Sequence, residues 1–180
     1  MSKTIIIKGK PCSGKSWMVR PIKEALNINT KHIWRDKYSY YSNGNHIYLI
    51  GKYENNTYGG LDAFHPKGLA IEMIEEIIAN DKDAVIYCEG CITKVWHYDV
   101  KIYLQVDDDV LTQNLINRRR TAIAQGKTRY KELTQEEIDH KLDIFIRHDV
   151  AAKNKKYEIL PHNTEEQRES NFKYLLNLSK

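Results

Sequence analysis

Eight residues constrain this chain more than any other stretch. Gly9-Lys10-Pro11-Cys12-Ser13-Gly14-Lys15-Ser16 fits the pattern G-x-x-x-x-G-K-[ST]. Such a loop works only between a strand and a helix. Its backbone N–H groups must turn inward to form an anion-binding concavity, and a helix N-terminus must add favourable partial charge. The flanks meet both demands. Residues 4–8 hold three consecutive isoleucines and read as a short buried strand, and a helix is expected from the loop to about Leu26. In that geometry Lys15 is placed to reach the β- and γ-phosphates of a nucleotide, and Ser16 to ligate magnesium. Pro21 falls inside the expected helix, where its missing donor should bend or shorten it.

Strand and helix patterns alternate along the rest of the chain. Residues 46–51, 84–88, 101–106 and 157–160 read as strands. Residues 66–80, 108–125, 134–153 and 164–178 read as helices, with Pro66 in a first turn and Thr134 and Glu137 spaced as a capping box. This alternation implies βαβ units, a mostly parallel sheet and right-handed crossovers. The expected fold is α/β, a three-layer sandwich of about five parallel strands. The 4–8 strand should be central, beside strands ending at Gly51, Cys88 or Val106. The 180 residues suit one domain, 1–180, with no linker or repeat to divide it.

Hydrophobic residues at 41% and charged residues at 29% are close to globular norms, so disorder is not the default reading. A net charge of +4 is compatible with a polyanionic ligand without demanding one. No apolar run approaches the roughly 20 residues of a bilayer span, and the N-terminal apolar stretch is too short for a signal peptide. Three cysteines, Cys12, Cys88 and Cys91, are too few for a disulfide scaffold, and the lone C-x-x-C lacks the second pair that zinc would need. These features together predict a soluble cytoplasmic protein.

Residues 4–16, TIIIKGKPCSGKS, resemble the opening of P-loop nucleoside and nucleotide kinases. The chain length, the strand–helix alternation and an arginine-rich helix after the fourth strand extend that likeness over most of the chain. The segment Gly51-Lys52-Tyr53 … Tyr58-Gly59-Gly60-Leu61-Asp62 is similar to phage-type P-loop kinases, a group that includes enzymes phosphorylating a hydroxymethylated pyrimidine in DNA. The resemblance implies a P-loop nucleotide-kinase-like fold with a small helical lid at about residues 118–133. It implies ATP and Mg2+ as cofactors, and a nucleotide or such a base in DNA as acceptor. In its phage-type form it implies a phage-encoded enzyme working in the host cytoplasm. In the resembled kinases the loop matching Pro161-His162-Asn163 touches adenine.

Several residues are candidates for the chemistry. Glu89 directly follows an apolar strand, where ligands of parallel sheets gather. It is placed to hold magnesium through water or to activate an acceptor hydroxyl; a solvated strand-end carboxylate is the plainer alternative. Asp62, after a Gly-Gly pair, is a candidate general base or an ordinary helix N-cap. Between Val110 and Lys131 lie six basic residues and no acidic ones, and Arg118 and Arg119 fall near the inward stripe of their helix. An arginine there suits the charge of a transferring phosphoryl group. Trp34 and Tyr58 offer faces for a base and Arg35 a phosphate contact on the acceptor side, with core packing the equal alternative for Trp34. Two other classes compete. A hydrolysis-driven switch would want N-K-x-D, and Asn154-Lys155-Lys156-Tyr157 fails at its last position. A kinase for a small metabolite shares the same loop.

Overall fold

The computed structural model describes residues 1–54, 57–61, 64–66, 68–90, 97–128 and 130–180. Its first strand, β1 (Lys3–Gly9), buries all three isoleucines completely. Both neighbours of β1 are parallel to it: β7 (Val85–Glu89) on one side and β8 (Val100–Gln105) on the other. A strand covered on both faces has no polar side, so its sequence is continuously apolar. The two faces still point apart. Ile5 and Ile7 pack with Met18, Val19 and Ile22 of α1 (Lys15–Ala25) and with Leu175 of α5 (Glu165–Asn177). Ile6 packs with Met73, Ile74 and Ile77 of α2 (Gly68–Asn80). Each such side chain contributes about 1.5–3 kcal/mol by leaving water. Helices thus cover both faces of the sheet, an arrangement compatible with a three-layer sandwich.

The main sheet also contains β2 (Thr30–Trp34), β3 (Tyr38–Ser42), β4 (Ile47–Ile50) and β9 (Glu158–Pro161). It runs β2-β3-β4-β7-β1-β8-β9. Strands β4, β7, β1, β8 and β9 are parallel, with β1 in the middle, and β3 and β2 extend one edge antiparallel. The protein is therefore α/β with a mixed, mostly parallel sheet and, among the described residues, five helices. A separate two-stranded hairpin, β5 (Lys52–Glu54) and β6 (Thr57–Gly59), follows β4.

The sequence pattern does not announce β2, β3 or this hairpin. Ser39 and Ser42 of β3 are buried polar residues whose hydroxyls are satisfied locally: Ser39 Oγ donates to the Gly51 carbonyl at 3.1 Å, and Ser42 Oγ lies 2.9 Å from His32 Nε2. The turn joining β2 to β3 puts Arg35 and Asp36 at φ 47° and 58° without a glycine, so the usual hairpin signal is missing.

α1 passes through Pro21 without interruption over its 11 residues, so the expected shortening does not occur. The carbonyl left without a donor belongs to Trp17, a residue on the exposed side of the helix. Helices α3 (Asp108–Ala124) and α4 (Gln135–Asn154) follow β8. The capping box at the start of α4 is present: Thr134 Oγ1 accepts from the Glu137 N–H at 3.2 Å, and Glu137 Oε2 accepts from the Thr134 N–H at 3.0 Å. Among the described residues no helix is long and apolar enough to cross a membrane.

Candidate active site

The 9–16 loop joins the carboxyl end of the central strand to the first turn of α1, as its spacing predicts. Gly14 is the N-cap of α1 and sits at φ 86°, a left-handed conformation that a side chain would strain. No side chain caps this helix start. Its first N–H groups therefore lack intrahelical acceptors, the arrangement that favours an anion. Lys15 Nζ is turned onto the loop itself, donating to the carbonyls of Gly9 at 3.1 Å and Lys10 at 2.9 Å.

Glu89 ends β7 beside this loop, because the β1–β7 register pairs it with Ile7. It is not a solvated strand-end carboxylate: only 2% of it is exposed. Ser16 Oγ donates to Glu89 Oε1 at 2.7 Å, and Tyr53 Oη donates to the same oxygen at 3.3 Å. Two hard oxygen groups from distant parts of the chain thus meet at the helix N-terminus, a donor set suited to Mg2+, which takes one or two carboxylates plus phosphate and water oxygens.

On the Pro11–Cys12 side of the loop lies a cavity of about 600 Å³. Arg118 and Arg119 of α3, Lys127 and Lys141 reach it, and among the described residues lining it none is acidic. Its floor is apolar, from Leu115, Leu133 and Phe145. Arg118 Nη1 approaches Cys12 Sγ at 3.5 Å, and the Arg119 guanidinium stacks 4.9 Å from the Tyr130 ring centre. Both arginines singled out in the sequence therefore line the cavity beside the loop, and Arg118 also touches the loop itself. Arg120 instead pairs with Glu132 on the surface.

Lys10 behaves differently from its neighbours in the loop. Its Nζ turns away from the concavity, is 4% exposed, and is held between Asp108 of α3 at 3.2 Å and Asp149 of α4 at 2.9 Å. Tyr103 Oη also donates to Asp149, at 2.7 Å. Its contribution to the loop is backbone geometry, while its side chain ties the loop to α3 and α4. Nothing in the motif specifies this, because its x positions carry no chemistry of their own.

Of the acceptor-side candidates, the two whose side chains are described, Trp34 and Arg35, are not gathered at the loop. Trp34 ends β2, four strands from β1, which at about 4.8 Å per strand is roughly 19 Å away. It is buried in the α2-facing core, and its Nε1 donates to Glu76 at 2.8 Å. The Arg35 guanidinium stacks on Trp34 at 4.2 Å and pairs with Glu72 at 2.7 Å. Asp62, Cys91, Arg129 and the Tyr58 side chain lie outside the described residues. Cys88 is buried and free, its thiol pushed up by burial.

His162 follows β9 and is 2% exposed, packed against Gly14: a Cβ added there would lie 3.2 Å from its Nε2. Asn171 Nδ2 donates to its Nδ1 at 3.2 Å, which leaves the ring proton on Nε2. Nε2 and Ser13 Oγ, both buried beside the loop, have no hydrogen-bond partner among the described residues. Burial first, and the Arg168 charge second, hold this imidazole down to about 4. A histidine of depressed pKa favours folding only while it is neutral in the unfolded chain too. Stability should therefore be intact above about pH 6.5 and fall as pH drops from there toward 4, by on the order of 3 kcal/mol. His162→Gln should flatten that segment of a urea-denaturation profile taken against pH; an unchanged acid slope would refute the assignment.

A scan against protein-family models finds no match for this chain, and a search of the curated proteins finds none either. The functional reading therefore rests on the loop, on Glu89 and on the basic cavity.

Proposed function

We propose that this chain is a magnesium-dependent phosphotransferase of P-loop kinase type. It would move the γ-phosphoryl group of ATP to a nucleotide, either free or as a hydroxymethylated pyrimidine within DNA. The observation that carries the reading is the 2.7 Å hydrogen bond from Ser16 to the buried Glu89 at the uncapped start of α1. A hydroxyl and a carboxylate held together there are the pair expected to hold Mg2+ beside a bound polyphosphate. When bound, the ion supplies positive charge at the β- and γ-oxygens. The loop N–H groups and Lys15 hold the phosphates. Ser13 Oγ and His162 Nε2, buried and without partners among the described residues, flank the same loop. Arg118, Arg119, Lys127 and Lys141 gather cationic charge on the other side and screen an incoming anionic acceptor. Glu89 or Asp62 takes the proton of the attacking hydroxyl. Such an enzyme would work in the cytoplasm, in the phage-type case that of the host.

Labelled ATP offered with mononucleotides, with DNA carrying hydroxymethylated pyrimidine, and with sugars tests this directly. Label should appear on a nucleotide or on DNA. A DNA acceptor further requires affinity that falls steeply with salt, because each neutralised phosphate releases counterions; a free nucleotide gives a shallow dependence. Transfer to a sugar or vitamin alcohol alone would refute the nucleotide acceptor, and no transfer to any of them would refute the kinase.

A further inference from the structure

We infer that the β5–β6 hairpin is a clamp on Glu89, with Tyr53 and Gly60 as positioning residues for that carboxylate rather than contacts for an acceptor. This rests on the phosphotransferase reading and deepens it.

Two independent contacts converge. From β5, Tyr53 Oη donates to Glu89 Oε1 at 3.3 Å across 36 residues of sequence. Tyr53 is itself fixed: it is 8% exposed, its backbone N–H donates to Tyr41 Oη at 3.3 Å, and its ring meets the Tyr41 ring edge-on at 6.2 Å. Just past β6, Gly60 lies against the same residue from another direction. A Cβ on Gly60 would come within 2.3 Å of the Glu89 carbonyl oxygen and 2.5 Å of its Cγ. Only a glycine lets the chain pass there. The GKY and GG elements that bracket the hairpin in sequence thus meet at one side chain.

The clamp matters because Ser16 and Tyr53 donate to one oxygen. A Ser16 hydroxyl that turns to a magnesium ion no longer donates to Glu89. Tyr53 then keeps the carboxylate aimed at the loop, the role of a third group that orients a catalytic pair. Without it, one restraint on the Glu89 rotamer is lost.

The test is calorimetric titration of ATP into the purified protein, once with Mg2+ and once with EDTA. Tyr53→Phe retains the ring and removes only the hydroxyl. It should leave the EDTA affinity within about twofold and the protein folded, with a thermal midpoint lower by only a few degrees, while the Mg2+-dependent gain in affinity falls about fivefold or more. Glu89→Gln should lose the same gain. In the double variant the losses should not add, because both act through one carboxylate. Gly60→Ala should reproduce the Tyr53→Phe pattern by displacing Glu89 from the other side; if it fails to fold, Tyr53→Phe alone decides. Full additivity, or an unaltered Mg2+ gain in Tyr53→Phe, would overturn the clamp while leaving the kinase reading untouched. A wild-type protein that binds no ATP with Mg2+ would overturn both. Binding with the predicted non-additivity, but with no acceptor phosphorylated, would uphold the clamp and sink the kinase.

Discussion

Lys15→Ala should reduce phosphoryl transfer by about 10²–10³-fold while the protein stays folded. Its ammonium is the one charge in the motif that the loop holds over its own carbonyls, at 3.1 and 2.9 Å, ready to exchange them for phosphate oxygens. Removing one preorganised charge from a site of developing negative charge costs about 3–4 kcal/mol of barrier. The structural cost is small by comparison. Two side chain-to-backbone hydrogen bonds of a partly exposed lysine are lost, and net contributions of such bonds are about 0.5–1.5 kcal/mol each before water replaces them. Steady-state kinetics beside urea denaturation separate the two effects. A variant with near wild-type turnover would remove Lys15 from the chemistry.

Asp149→Ala should be the costliest single substitution for stability around the site, by about 3 kcal/mol, and for an unsymmetrical reason. The carboxylate accepts from Lys10 and Tyr103 together. Its removal leaves the 4%-exposed ammonium of Lys10 with Asp108 alone, at 3.2 Å and itself 59% exposed. A buried charge stripped of its better partner is the expensive case. Lys10→Met is milder, about 1–2 kcal/mol, because the Asp149 it abandons keeps some access to water and keeps Tyr103. The double variant Lys10→Met with Asp149→Leu should recover much of the loss. Urea midpoints measure all three, and equal losses for the two single variants would contradict this account.

These cases mark where sequence reading reaches and where it stops. The central parallel strands were legible because a strand buried on both faces must be apolar throughout, as Ile5, Ile6 and Ile7 are, and the edge strand β9 by its place between two helical patterns. The strands β2 and β3 were not, since buried Ser39 and Ser42 are satisfied by partners that only folding supplies, and a turn built on Arg35 and Asp36 imitates no standard signal. At the site, Lys15, Ser16 and Glu89 could be named because strand end, loop and helix start are forced together by topology. That Tyr53 reaches Glu89, or that Lys10 leaves the concavity for α4, depends on which side chain wins a contact across dozens of residues. Spacing along the chain does not encode that competition.

Trp17, one residue past Ser16 and 65% exposed, gives this molecule an optical property. Trp34 is its opposite, 7% exposed within the core. Water relaxes around the first indole and not around the second, so their emissions should separate in colour, and of these two iodide should reach Trp17 and not Trp34. An anion settling into the loop would shield Trp17 from that quencher and leave Trp34 untouched. With the third tryptophan, Trp96, which lies outside the described residues, replaced by phenylalanine (Trp96→Phe), ligand arrival and loss of the fold can therefore be followed in one unlabelled sample, through two built-in fluorophores that answer different questions.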